Sequence, residues 1–162
     1  MNHVRLLRIE LAQQRLISLE AGRTQAIYPI SSGRAGAGER QNSGCTPRGW
    51  HRIRLKIGQG CPEDSVFVGR RPTGEIYSPE LAQNHPERDW VLTRILWLTG
   101  TETGRNRGGQ VDTLRRYIYI HGTPETSLIG MPVSHGCIRM RSGDLLELFD
   151  WVEQGTPVEI VD

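Results

Sequence analysis

Within WHRIRLKIG, residues 50–58, Ile53, Leu55 and Ile57 alternate with Arg52, Arg54 and Lys56. A period of two sends successive side chains to opposite faces, so this stretch predicts a strand with one dry and one solvated face. The same kind of short run recurs along the chain. VRLLRIEL, RLISLE and TQAIYPIS are partly alternating, rich in Leu, Ile and Val, and divided by AQQ and AGR, which predicts a β-meander over the first third. SVFVGR, GEIYS and VLTRILWLTG are further strands, and RRYIYIHG predicts a buried strand that delivers His121 at its end. The glycines and Pro47 of SGRAGAGERQNSGCTPRG exclude a regular element there. PELAQNHPERDW reads as a loop with one helical turn, and TETGRNRGGQ as an exposed loop.

One segment changes period. Ser142 stands as an N-cap and Asp144 lies in the first turn, while Leu145, Leu146, Leu148, Phe149 and Val152 form an apolar helical face that Gly155 ends. TPVEIVD closes the chain as a strand. The expected fold is mainly β, an antiparallel β-sandwich or partly open barrel with one helix in the C-terminal region. At 162 residues it forms one domain over 1–162, large enough to bury a core without a metal or disulfide staple.

Charge narrows the function classes. A net charge of +2 is too mild for a nucleic-acid-binding face. Residues 1–60 hold ten Arg/Lys against three Asp/Glu, but most of those arginines fall on solvated strand positions. No apolar run reaches membrane-spanning length. MNHVRLLRIELAQQ breaks its apolar residues with Arg5, Arg8 and Glu10, unlike an export signal. With the odd, sparse cysteines Cys45, Cys61 and Cys137, this places the expected protein in the cytoplasm, outside the membrane and without a disulfide framework.

The chemistry concentrates in SHGCIRM, residues 134–140. A cysteine attacks a carbonyl as thiolate, so it needs a base and a setting that holds negative charge. His121 and His135 are the nearby imidazoles. His121, at the end of a strand and followed by Gly122, is the expected base: the bare Gly122 carbonyl can accept an imidazole N–H and set the tautomer. Gly136 permits a tight turn, and the backbone N–H groups of Gly136 and Cys137 are the expected oxyanion donors.

YIHGTPETSLIGMPVSHGCIRM resembles the signature of the L,D-transpeptidase (YkuD-type) catalytic domain, a His-Gly or His-Ser pair followed by Ser/Thr-His-Gly-Cys. CTPRGWHRI resembles that family's Thr-Pro-x-Gly segment, and the early meander ending in YPISSG resembles its opening strands. The resemblance implies a β-rich fold, a thioester mechanism without metal or organic cofactor, and a peptidoglycan stem-peptide or muropeptide substrate. It implies Cys137 as nucleophile, His121 as base, Gly122 as its orienting carbonyl, His135 as the second histidine of the site and Ser134 as the motif hydroxyl. Carbapenems are implied as covalent inhibitors.

Arg139, where many transpeptidases carry asparagine, is expected to pair with a substrate carboxylate. The loop from His121 to Ser134 is short. Together with the absent export signal, these features point to a cytoplasmic L,D-carboxypeptidase of peptidoglycan recycling, which cleaves the diaminopimelate–D-alanine bond of tetrapeptides. An L,D-transpeptidase that forms peptidoglycan cross-links or exchanges D-amino acids is the alternative. Two further classes compete: a zinc site of His121, His135 and Cys137 with Cys45 or Cys61, for which no paired C-x-x-C exists, and a non-catalytic wall-binding module. Cys45 and Cys61 read as packing, Trp97 and Tyr119 as core, and Asp112 as an anchor for the loop before His121.

Overall fold

The computed structural model describes residues 4–162; residues 1–3 of the expected 1–162 unit lie outside the described residues. Its strands are β1 (Arg5–Glu10), β2 (Arg15–Glu20), β3 (Arg23–Pro29), β4 (Gly49–Ile57), β5 (Ser65–Val68), β6 (Arg71–Ile76), β7 (Val91–Gly100), β8 (Tyr119–Gly122), β9 (Ile138–Met140) and β10 (Pro157–Val161). Two α-helices interrupt them, α1 (Pro79–Asn84) and α2 (Ser142–Trp151). The strands make one sheet in the order β3-β2-β1-β10-β4-β7-β5-β6, with β8 added on β7 and β9 on β8. The mainly β expectation holds, and the sheet is not closed into a barrel.

β7 is the branch point. Ile95 pairs with both Ile57 and His121, and Leu92 with both Val66 and Gly122, so β4 and β5 share one edge of β7 while β8 takes the other. Most pairings are antiparallel, but β1 with β10 and β8 with β9 are parallel. β9 is absent from the sequence reading because a three-residue run shows no period; its order comes from pairing with β8.

Alternation sets the layers. Leu7 and Ile9, Ile53, Leu96 and Leu98, Ile118 and Ile120, and Ile138 and Met140 all join one buried apolar cluster with Leu145, Leu148, Phe149 and Val152. α2 lies over β7 and β8, and each fully buried Leu or Phe contributes about 1.5–3 kcal/mol. Lys56 holds the far end of α2, donating to the Val152 carbonyl at 2.9 Å with its ammonium 4.4 Å from the Phe149 ring. The expected Ser142 cap is corrected: Arg141 is the N-cap and makes no side-chain cap bond. Ser142 Oγ instead lies 2.6 Å from Thr93 Oγ1 and 3.0 Å from Asp64 Oδ1. These bonds tie α2 to β7 at a register shift between Leu92 and Ile95, a bulge that re-aims the strand beside His121. Among the described residues, no helix is long and apolar enough to cross a membrane.

Candidate active site

The parallel β8–β9 pair is a wall between two environments. Its register sets Ile120 opposite Ile138 and His121 opposite Arg139. Ile118, Ile120, Ile138 and Met140 face the main core. The intervening positions therefore put Tyr119, His121, Cys137 and Arg139 on the other face. There Tyr119 joins Phe67 and Ile95 in a second apolar cluster, against which Trp97, Cys61 and Cys137 pack. The expected core role of Tyr119 and Trp97 holds in this smaller cluster, where their rings meet edge to face at 5.8 Å.

His121 is almost fully buried, and its Nδ1 lies 2.7 Å from the Gly122 carbonyl oxygen. A carbonyl only accepts, so Nδ1 carries the proton and Nε2 keeps its lone pair. Burial holds the imidazole below its ordinary value; the bond to Gly122 and the charge of Asp89 oppose that shift, and Arg139 reinforces it. The ring is therefore neutral at neutral pH. Gly122 serves through its missing side chain as well. A Cβ there would lie 2.7 Å from the Leu92 carbonyl oxygen, because β7 passes so close.

The Cys137 sulfur sits between two backbone groups. It accepts from the Tyr119 N–H at 3.3 Å and donates to the Tyr117 carbonyl at 3.4 Å. Burial pushes the thiol up to about 11; the Tyr119 N–H pulls down, Asp89 pushes further up, and Arg139 and Arg116 pull down. The resting groups are thus a thiol and a neutral imidazole on one face of the β8–β9 pair, the protonation states from which general-base transfer starts.

The turn before the sulfur is held by a hydroxyl. Ser134 Oγ accepts from the Gly136 N–H at 3.1 Å and donates to the Cys137 carbonyl at 2.5 Å. Gly136 has φ +122, and a Cβ would approach the Cys45 carbonyl oxygen to 3.1 Å, so a side chain there would be strained in its backbone and crowded by its neighbour. Of the two expected oxyanion donors, the Gly136 N–H is already engaged by Ser134. The Cys137 N–H donates to no acceptor among the described residues.

His135 and Arg139 are joined through Asp89, a residue the sequence reading passed over. His135 Nδ1 lies 3.0 Å from Asp89 Oδ2, and Arg139 Nη2 lies 3.0 Å from Asp89 Oδ1. Arg139 Nη1 donates to Glu125 Oε2 at 3.2 Å. The guanidinium is 8 % exposed, between carboxylates that are about half exposed, while the His135 ring is 80 % exposed. Arg139 is therefore already committed to two protein carboxylates.

Two clefts differ in their relation to this arrangement. One of about 270 Å³ is lined by Arg115, Arg116, Tyr117 and His135 among others. A larger one of about 810 Å³, around Arg52, Arg107 and Asp112, contains none of the expected site residues. Cys45, Cys61 and Cys137 are unpaired, and no group of three His, Cys, Asp or Glu among the described residues is placed to hold a metal. Asp112 anchors its loop, accepting from the N–H groups of Gly108 and Arg115. Asp89, in the polar HPERDW stretch, carries no sequence signal of its own, and Thr46, though it stands in the Thr-Pro-x-Gly segment, carries none for its partner; both reach the site from segments distant in the chain.

The model of the L,D-transpeptidase catalytic domain matches residues 5–160. The chain is 30 % identical over 155 residues to the probable L,D-transpeptidase ErfK/SrfK of Salmonella typhimurium, covering 95 % of itself and 43 % of that protein. It is 40 % identical over 76 residues to the putative L,D-transpeptidase YkuD of Bacillus subtilis, covering 39 % of itself and 46 % of that protein. Its fold superposes on L,D-transpeptidase 3 of Mycobacterium tuberculosis with a TM-score of 0.63 at 17 % identity, over 99 % of this chain and 62 % of that one. An L,D-transpeptidase of Mycobacterium smegmatis gives 0.60 at 20 % identity, over 99 % and 60 %. The chain spans less than two thirds of the length of these proteins.

Proposed function

The chain belongs to the L,D-transpeptidase catalytic-domain family, and on that premise we propose that it transfers the acyl group of a peptidoglycan stem tetrapeptide through a thioester on Cys137. The observation that carries the reading is one face of the β8–β9 pair, where a thiol held by the Tyr119 N–H just before β9 and an imidazole oriented by the Gly122 carbonyl on β8 lie on the same side. As Sγ attacks the carbonyl carbon of the diaminopimelate–D-alanine amide, its proton passes to His121 Nε2 and the carbonyl π electrons move to oxygen beside the Cys137 N–H. Collapse expels the amine of D-alanine, which takes the proton from His121. An acceptor amine then attacks the thioester, gives its proton to His121, and the departing thiolate recovers it.

Between amine and water as acceptor, we favour the amine. The carboxypeptidase expectation drew support from an Arg139 free to grip a substrate carboxylate, and that guanidinium is occupied by Asp89 and Glu125. The relatives' names carry the transpeptidase reading. The test incubates the protein with a tetrapeptide stem and a millimolar D-amino acid, then follows D-alanine release and product masses. Exchange product exceeding tripeptide is expected. Tripeptide in excess would make the protein an L,D-carboxypeptidase, and no release of D-alanine would overturn the function.

A further inference from the structure

Resting on that reading, we infer that Thr46 is a positioning residue for the oxyanion site: its hydroxyl fixes the Gly136–Cys137 peptide plane so that the Cys137 N–H faces the reacting carbonyl. Thr46 is fully buried. Its Oγ1 accepts from the Gly33 N–H at 2.8 Å, and it lies 2.8 Å from the Gly136 carbonyl oxygen. A hydroxyl has one proton, and the carbonyl has none to offer, so that proton goes to Gly136. The peptide is trans, which makes its N–H antiparallel to its carbonyl. Holding the carbonyl toward Thr46 therefore points the Cys137 N–H the opposite way, where no described residue accepts it.

The surrounding bonds leave this plane one orientation. Ser134 takes the N–H before it and the carbonyl after it. Thr46 is itself fixed on both sides of its backbone, its N–H donating to the Gly36 carbonyl and its carbonyl accepting from the Gly38 N–H, both at 2.9 Å. The preceding Cys45 carbonyl accepts from Arg116 at 2.6 Å. An unpaired N–H on a turn this well braced is a donor set in place before charge develops, which is the arrangement that favours a tetrahedral oxyanion. Thr46 does not touch the sulfur, so its effect is confined to reactions that make such an oxyanion.

That restriction supplies the test. Imipenem acylates a thiol by attack on a carbonyl, whereas iodoacetamide alkylates it at a saturated carbon with no oxyanion. Both rates at Cys137 are measured by mass spectrometry for wild type, Thr46→Val and Thr46→Ser, below the melting temperature of each. Thr46→Val should slow acylation on the order of 10- to 100-fold, less than loss of a whole oxyanion donor, because the N–H remains but is no longer aimed. Its alkylation should stay near wild type, and Thr46→Ser should restore acylation. Loss of fold would accelerate alkylation and so cannot imitate this pattern. An equal fall in both rates, or no fall in either, would overturn the role of Thr46 while leaving Cys137 acylation standing. A wild-type thiol that imipenem does not acylate would remove the proposed function and this role together.

Discussion

The backbone N–H of Tyr119 donates to the sulfur of Cys137 across 3.3 Å, joining β8, the strand that carries His121, to the residue that precedes β9. One N–H is too little to hold a full thiolate against burial, and the thiol is pushed up to about 11. Iodoacetamide should therefore react slowly at neutral pH and faster as pH rises through and beyond the ordinary thiol value of about 8.5. A rate already at its plateau at pH 7 would show a resting thiolate–imidazolium pair instead. Cys137→Ala should abolish D-alanine release, and Cys45→Ala and Cys61→Ala should leave it nearly intact.

His121 is the proposed base, and its value is lowered chiefly by burial. A base must be neutral, so the acid limb of the rate profile should lie below the ordinary imidazole value of about 6.5. His121→Ala should cost on the order of 10² to 10⁴ in rate. The charge of Asp89 raises His121, so Asp89→Asn should move the acid limb further down. A limb that shifts upward would contradict that electrostatic link.

Arg139 separates positioning from substrate binding. Its guanidinium is buried between Asp89 and Glu125. Arg139→Gln should lower stability by about 1–2 kcal/mol, less than the loss of a fully buried pair because both carboxylates are half solvated. The rate should fall through kcat with KM little changed. A rise in KM at unchanged stability would return Arg139 to gripping the substrate carboxylate.

His51 gives the fold an acid-sensitive point away from the thiol. Its Nδ1 lies 3.0 Å from the Gly49 carbonyl oxygen and its Nε2 2.9 Å from Thr113 Oγ1, with the ring buried. Burial lowers it from 6.5 to about 4. Between those values the unfolded chain binds the proton that the folded ring refuses, so stability falls as pH drops through that window and is regained as pH rises. The size is roughly 3 kcal/mol. Urea unfolding of wild type and His51→Gln at pH 7 and pH 4.5 checks it: the variant, whatever its overall stability, should lose less between the two.

Asp89 was illegible because nothing in HPERDW distinguishes one solvated carboxylate from its neighbours. Its partners, His135 and Arg139, lie 46 and 50 residues away in the chain. Thr46 stands in the Thr-Pro-x-Gly segment with no partner visible nearby, for the same reason: its hydroxyl meets Gly136 across 90 residues. Arg139 was visible as a cation near the thiol, but what neutralises a cation is decided by which loops fold over it.

The sequence by itself determined the strands and the main helix, because a period of two or of 3.6 is written in consecutive residues, although a register shift after Ile53 leaves Leu55 of the expected dry face exposed. It also determined the pairing of His121 with Gly122, a bond between neighbours that needs little more than a strand end. Tertiary structure alone decided which N–H of the Gly136–Cys137 turn is free, where the charge of Arg139 is neutralised, and that β9 exists at all. Those outcomes depend on hydrogen bonds and charge pairs between distant segments, and a hydroxyl or carboxylate has no partner until the sheet brings one within 3 Å or so.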